Sequence, residues 1–255
     1  MDRLTIIKVG GKVVEDSNSL DALLDQFDKI SGNKLLVHGG GRTATEISAK
    51  LGIETKMVEG RRITDADTLD VVIMVYAGLV NKKIVAGLQA RGMNAVGLTG
   101  TDLDLIKARK RPVADIDYGF VGDVEDVNPK ELRLLINENV IPVIAPLTHD
   151  GNGQLLNTNA DTIASELAIE LSNYFSVYLF YCFEKKGVLL DHNDESSIIY
   201  DLDSELFEKY KSEGIISEGM IPKLDNGFRA KRKGVKEILI TNAENISSGR
   251  GTRIV

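Results

Sequence analysis

Cysteine is nearly missing from this chain. Cys182 is the only one among 255 residues, and it lies inside the apolar run Val177–Phe183, so an internal disulfide and a cysteine-based metal cluster are both excluded. Positive charge is in deficit, with 31 Lys and Arg against 38 Asp and Glu and a formal charge of -7. That balance argues against a nucleic-acid partner or an anionic membrane surface, because both are themselves negative. Any bound anion must then be held by local basic residues. No repeat, low-complexity tract or apolar run of membrane-spanning length is read from the sequence. The N-terminus enters the apolar stretch at Leu4 too soon for a signal sequence, and the expected compartment is the cytoplasm.

Several catalytic signatures are also missing. No Gly-x-x-x-x-Gly-Lys-Ser/Thr occurs, nor do the Asp-Phe-Gly and His-Arg-Asp signatures of protein kinases. The absence of a Gly-x-Ser-x-Gly elbow removes the α/β-hydrolase reading of His38-Gly39-Gly40-Gly41.

What is present alternates between strand and helix. Leu4 to Val9 reads as a buried strand ending at Gly10-Gly11, and Ser19 to Ile30 as a helix. Lys34 to His38 is a second strand, ending on three glycines that open a helix from Arg42 to Leu51. A long helical pattern runs from Asp65 to about Arg91, followed by a strand at Ala95 to Leu98 and a hairpin within Leu105 to Val127. A helix from Pro129, a strand at Val140 to Pro146 and a helix after Asn159 follow. The rhythm returns from Tyr178 with strands near Phe183 and at Glu237 to Thr241, and helices at Ser204 to Lys211 and after Gly219. These elements predict an α/β fold, an open αβα sandwich on a mainly parallel doubly wound sheet, in two lobes spanning 1–173 and 174–255. In such sheets ligands sit beyond the carboxyl ends of strands, where the glycine turns fall.

Lys8 interrupts an otherwise apolar strand, and an unpaired ammonium there carries a desolvation penalty of several kcal/mol. An anionic partner is expected, unless the lysine stem simply reaches solvent. Gly39-x-Gly41-x-x-Ala44 fits a loose dinucleotide fingerprint, with Glu59 at about the right distance for a ribose, so a nicotinamide-dependent dehydrogenase stays open. Arg61 and Arg62 precede a helix that Thr64 or Asp65 caps. Their planar forks suit a carboxylate, although adjacent loop arginines are also commonly just solvated. Asn159 or Thr158 capping accounts for part of Asn157-Thr158-Asn159-Ala160-Asp161 but leaves Asp161 free to orient two lysines that would otherwise repel.

In order and spacing, Lys8-Val9-Gly10-Gly11, His38-Gly39-Gly40-Gly41, Gly60-Arg61-Arg62-Ile63-Thr64, Asn157-Thr158-Asn159-Ala160-Asp161, Gly219-Met220-Ile221-Pro222-Lys223 and Gly251-Thr252-Arg253 resemble the amino-acid kinase family, specifically its N-acetylglutamate kinases. The resemblance implies transfer of the ATP γ-phosphoryl group to the side-chain carboxylate of N-acetyl-L-glutamate, in arginine biosynthesis. It casts Lys8 and Lys223 as stabilisers of the phosphoryl group in flight and Asp161 as the group that positions both. Gly11 and Gly40 would donate backbone N–H bonds to the phosphoryl oxygens. Gly41, Arg62 and Asn157 would hold the acylated glutamate, and Gly10, Gly187, Leu189 and Glu184 would belong to the nucleotide and phosphate site. A carboxylate nucleophile is already ionised at neutral pH and needs no general base. The obstacle is charge repulsion, which calls for lysines, glycine N–H groups and Mg²⁺ riding on ATP.

The sequence departs from the family at Phe183-Glu184-Lys185-Lys186-Gly187-Val188-Leu189, where Thr-Asp is usual in place of Phe-Glu, and at Thr99-Gly100-Thr101-Asp102-Leu103-Asp104, where a lysine and further glycines are usual. These departures keep N-succinylglutamate open as the acceptor, and a non-catalytic amino-acid or nucleotide sensor open as a third class. Only seven residues precede Lys8, whereas arginine-inhibited hexameric relatives carry an added N-terminal helix. A homodimer without arginine feedback is the expectation.

Overall fold

The computed structural model describes residues 1–58, 61–216 and 219–255. Glu59, the ribose-contact candidate, and Gly60 of the arginine block lie outside them. The frame is an eight-stranded sheet in the order 201–202, 252–254, 237–242, 176–183, 3–9, 33–38, 141–145 and 95–99. The six strands from 237–242 to 95–99 run parallel. The strand Thr252–Ile254, not read from the sequence, runs antiparallel to Glu237–Asn242 and adds an opposed edge.

Both faces of the sheet are covered, which is why its central strands read as continuous apolar runs. The pleat sends alternate residues of Arg3–Val9 to opposite sides. Leu4 and Ile6 join one core with Ile163 and Leu167 of the helix Ala160–Leu171 and Leu224 of the helix Ile221–Arg232. Ile7 and Val9 join the other core, with Leu23 and Leu24 of the helix Ser17–Asp28 and Val72 and Val75 of the long helix after Asp65. Lys8 continues the Leu4–Ile6 row, so its side chain enters the layer that holds the helix 160–171.

That long helix overturns one expectation. Ala66–Gln89 is a helix of 24 residues with mean hydropathy 1.6, long and apolar enough to cross a membrane by length and composition. Its scattered charges, Asp67, Asp70, Lys82 and Lys83, break every uninterrupted apolar run and hid this from the sequence reading. Val71, Val72, Val75, Val80, Ile84 and Leu88 are buried in the second core, the packing of a core helix. Its middle, Met74–Val80, is π-helical, a geometry that 3.6-residue periodicity does not announce.

The hairpin within 105–127 pairs Ile106–Lys110 with Val121–Val127 as expected. Leu147–His149 and Leu155–Thr158 close it into a four-stranded barrel, which strands of three and four residues gave no periodic signal to predict. The barrel docks on the arginine segment through Phe120 N–H to the Thr64 carbonyl at 2.7 Å and Thr64 N–H to the Tyr118 carbonyl at 2.9 Å. Gly119 permits this approach: its φ is +70°, and a Cβ there would lie 2.2 Å from the Thr64 carbonyl oxygen.

Candidate active site

One carboxylate gathers both lysines. Asp161 Oδ1 lies 2.8 Å from Lys8 Nζ, and Lys223 Nζ lies 2.9 Å from Asp161 Oδ1 and 2.8 Å from Oδ2. Asn159 caps the helix 160–171 through Asp161 N–H at 2.8 Å and Thr162 N–H at 3.1 Å. The Asp161 side chain therefore has no capping task and is free for the ammonium groups. Burial pushes its pKa up, but the charges of Lys223 and Lys8 outweigh burial and hold it well below the usual carboxylate range. Lys223 sits in the first turn of the helix 221–232, the end where a cation opposes the helix dipole. Local stability does not favour it there. Burial lowers its pKa, Asp161 raises it, and Lys8 lowers it further.

Tyr181 completes the lining. It pairs with Lys8 across the parallel strands, its hydroxyl donates to the Asp161 backbone carbonyl at 3.4 Å, and the Lys223 ammonium lies 5.3 Å from its ring centroid. Cation–π attraction there compensates part of the desolvation of Lys223.

Two glycine turns face each other at the ends of the strands 3–9 and 33–38. A Cβ on Gly11 would lie 3.3 Å from Glu15 Oε1, 3.7 Å from the Gly41 nitrogen and 3.8 Å from the Gly40 nitrogen, so the two backbone turns meet there beside the Glu15 carboxylate. Gly10 N–H is already engaged with the Cys182 carbonyl at 2.9 Å, and Gly39 N–H with the Val9 carbonyl at 3.0 Å. Gly10 thus ties the turn to the neighbouring strand. Glu15 reaches across to accept from Thr43 N–H at 2.9 Å, in the first turn of the helix Gly41–Lys50.

Arg62 is 8% exposed and forms no ion pair with an acid among the described residues. Its Nη2 donates to the Gly41 carbonyl at 2.6 Å and to Thr45 Oγ1 at 2.9 Å, and its Nη1 donates to Thr55 Oγ1 at 3.2 Å. A buried guanidinium whose side-chain partners are neutral acceptors keeps its charge available to an anion. Asn157 on the adjacent barrel strand donates from Nδ2 to Thr64 Oγ1 at 3.0 Å, two residues from Arg62. Asp65, one of the two expected caps, holds the following helix by accepting from Thr68 N–H at 2.9 Å.

The Phe183–Leu189 turn lies past the end of the strand Ser176–Phe183. Glu184 pairs with Lys12 at 2.8 Å, so it tethers this turn to the one after Gly11. Gly187 packs on the C-terminal strand, where a Cβ would meet Thr252 Oγ1 at 2.8 Å. It borders a cavity of about 130 Å³ whose lining is mainly apolar, with Phe183, Val188, Leu189, Ile215, Ile216 and Met220, together with Lys185 and His192.

The sequence profile of the amino acid kinase family matches residues 3–242. The chain belongs to the amino acid kinase family. It is 59% identical over 254 residues to the acetylglutamate kinase of Parabacteroides distasonis, covering 100% of both chains. To that of Bacteroides thetaiotaomicron it is 61% identical, covering 99% of this chain and 98% of the relative. Among solved structures, smu.665 from Streptococcus mutans superposes with a TM-score of 0.82 at 25% identity, over 99% of this chain and 98% of that one.

Membership in the amino acid kinase family accounts for the fold. It does not by itself give the local network, in which Tyr181, Glu15, Tyr76 and Asn81 were not singled out from sequence. Tyr76 is buried on the π-helical segment; a Cβ on Gly40 would lie 3.0 Å from its Cδ1, and one on Gly41 3.9 Å from its hydroxyl. The register that pairs Tyr181 with Lys8 emerges only in the fold.

His38 is fully buried, and burial lowers its pKa from 6.5 to about 4. The folded protein therefore keeps it neutral at pH values where the unfolded chain protonates it. Its contribution to stability is complete above pH 6.5 and is lost progressively as pH falls towards 4. Between pH 6.5 and 5 this amounts to about 2 kcal/mol. Urea unfolding across that window is expected to show the loss, and His38→Asn is expected to flatten it.

Proposed function

We propose that this protein catalyses ATP-dependent phosphorylation of the side-chain carboxylate of N-acetyl-L-glutamate, giving N-acetyl-L-glutamyl 5-phosphate in arginine biosynthesis. The observation that carries the reading is the pair of buried ammonium groups on one carboxylate, beside the strand whose carboxyl end carries one of the two facing glycine turns. High identity to acetylglutamate kinases along the full chain supports the acceptor.

In this reading the nucleophile arrives ionised, and Arg62 takes the α-carboxylate of N-acetylglutamate in its fork. Gly41 fixes that fork through its carbonyl. Asn157, anchored through Nδ2, turns its Oδ1 towards the substrate amide. MgATP enters as substrate from the C-terminal side, with adenine in the apolar cavity by Leu189 and Gly187 and its phosphates running towards Gly11. Lys8 stabilises the migrating group and Lys223 the leaving side, while Asp161 keeps the two ammonium groups together. The division of labour follows the two lobes, 1–173 for the acylated glutamate and 174–255 for the nucleotide. Glu184 belongs to the nucleotide site through Lys12, which it holds across the turn.

A dehydrogenase would leave Lys223 and Asp161 without a task, and a sensor would have no use for the complete lysine pair. We further propose a cytoplasmic homodimer. Met74 and Leu79, exposed midway along the apolar helix 66–89, are suited to cover by a second copy.

The test is ADP release with MgATP and N-acetylglutamate, N-succinylglutamate, glutamate or aspartate in parallel, with hydroxylamine to trap an acyl phosphate as hydroxamate. N-Acetylglutamate is expected to give the highest kcat/KM, and no turnover with any acylated glutamate refutes the reading. Arg62→Ala is expected to raise KM for N-acetylglutamate at least ~30-fold, a loss of about 2 kcal/mol typical of a charge-assisted contact, with a smaller change in kcat. An unchanged KM removes the clamp assignment.

A further inference from the structure

We infer that His38 is a positioning residue for phosphoryl transfer: its Nδ1–H holds the Gly39 carbonyl and thereby turns the Gly40 N–H of the same peptide towards the gap beside Gly11. The inference rests on the reading of Gly40 as a phosphoryl-oxygen donor.

The proton on His38 can be placed by following the hydrogen bonds inward. Asn81, 1% exposed, has its Nδ2 2.9 Å from the Val143 carbonyl, which can only accept. Its Oδ1 lies 3.3 Å from Lys82 Nζ, which can only donate. Both neighbours therefore require the same amide orientation, and a flipped Asn81 would set oxygen against oxygen and nitrogen against ammonium. The second N–H of that amide meets His38 Nε2 at 3.1 Å. Nε2 must then offer its lone pair. A neutral imidazole with a bare Nε2 carries its proton on Nδ1, which lies 2.7 Å from the Gly39 carbonyl.

The consequence for Gly40 comes from peptide geometry. In a planar trans peptide the carbonyl of one residue and the N–H of the next point in opposite directions. The Gly39 carbonyl is drawn to His38, and the preceding peptide is fixed by Gly39 N–H donating to the Val9 carbonyl, so rotation of the Gly39–Gly40 peptide is restrained from both its carbonyl and its N-terminal side. Gly40 N–H, opposite that carbonyl, points away from His38, and its nitrogen lies 3.8 Å from where a Cβ on Gly11 would sit, with Glu15 Oε1 3.3 Å from the same point. Flexible glycine turns gain a fixed donor direction from a buried side chain behind them, as electrostatic preorganisation requires. Asn81 in turn needs Gly97, where any Cβ would fall 1.8 Å from its Oδ1.

Two measurements test this. In protein labelled with ¹⁵N-histidine, which has three histidines to resolve, the signal lost in His38→Asn is expected to show a protonated Nδ1 and an unprotonated Nε2 at pH 7. The opposite tautomer overturns the inference without any active variant. In kinetics, His38→Asn keeps an amide donor near the Nδ1 position and is expected to retain kcat within ~5-fold. His38→Gln, which reaches Asn81 but not the Gly39 carbonyl, and His38→Leu are expected to lose ~100-fold in kcat, the scale of one misdirected transition-state donor, with KM for N-acetylglutamate within ~3-fold. Active unmutated protein with His38→Asn no better than His38→Leu overturns this inference alone. Unmutated protein inactive on every acylated glutamate overturns the function and this inference with it.

Discussion

Lys8→Met is expected to lower kcat by roughly 10³-fold while leaving KM for both substrates within a few-fold and the thermal midpoint nearly unchanged. The effect on kcat follows from where the charge acts. An ammonium aimed at oxygens that gain charge only during transfer stabilises the transition state more than the ground state, and removing one such preorganised donor typically costs about 3–4 kcal/mol. Stability is spared because methionine matches the lysine stem in the row of Leu4 and Ile6. Asp161 meanwhile keeps Lys223 at 2.8 Å as its partner. Replacing a buried charge by an apolar side chain of similar volume is often neutral or stabilising. Steady-state kinetics with MgATP and N-acetylglutamate, alongside a melting curve, separate the two effects. A large rise in KM with kcat intact would assign Lys8 to substrate binding instead.

Asp161→Ala is expected to damage activity and folding together. It leaves two ammonium groups, each on a residue 8% exposed, facing one another with no carboxylate between them, and the loss of a buried partner costs about 3–5 kcal/mol. The pH dependence identifies the source. Asp161 has a folded pKa below its unfolded value, so its stabilisation is present above about pH 4 and is lost as pH falls through the lower folded value. The gap in unfolding free energy between the unmutated protein and Asp161→Ala should therefore be widest near neutrality and narrow below pH 4. Adding Lys8→Met to Asp161→Ala should recover part of the lost stability, since one of the two stranded charges is gone, and should recover no activity. A gap that stays constant down to pH 3 would show that Asp161 acts through packing and not through charge.

Much of this arrangement could be read from residue types. Lys8 was conspicuous because a charge in an apolar strand demands a partner, and Asp161 because a first-turn carboxylate was not needed beside Asn159. The meeting of these two with Lys223, 62 residues further on, was implied by the family resemblance and not by any local pattern. The helices and parallel strands were legible for a related reason: a sheet covered on both faces imposes apolar runs, and glycines mark their carboxyl ends.

What escaped the sequence has physical causes as well. The small barrel around Asn157 is closed by strands too short to show an alternation. The π-helical segment that carries Tyr76 leaves no mark in a periodicity of 3.6. The loop Thr99–Asp104 keeps left-handed backbone at Leu103 and Asp104, with φ of 57° and 53°. It does so without glycine, at a cost on the order of 1–3 kcal/mol per residue, and Asp102 helps hold it by accepting from Thr99 N–H at 2.6 Å.

In the proposed reaction the transferred phosphoryl group lies between Lys8 and Lys223, under the amides of Gly11 and Gly40. A crystal structure with MgADP, aluminium fluoride and N-acetylglutamate tests it most directly. The account predicts the fluoride ligands within hydrogen-bond distance of both lysine ammonium groups and of the two glycine N–H groups, with the substrate α-carboxylate on Arg62. Aluminium fluoride bound away from either lysine, or N-acetylglutamate seated elsewhere than on Arg62, would contradict it.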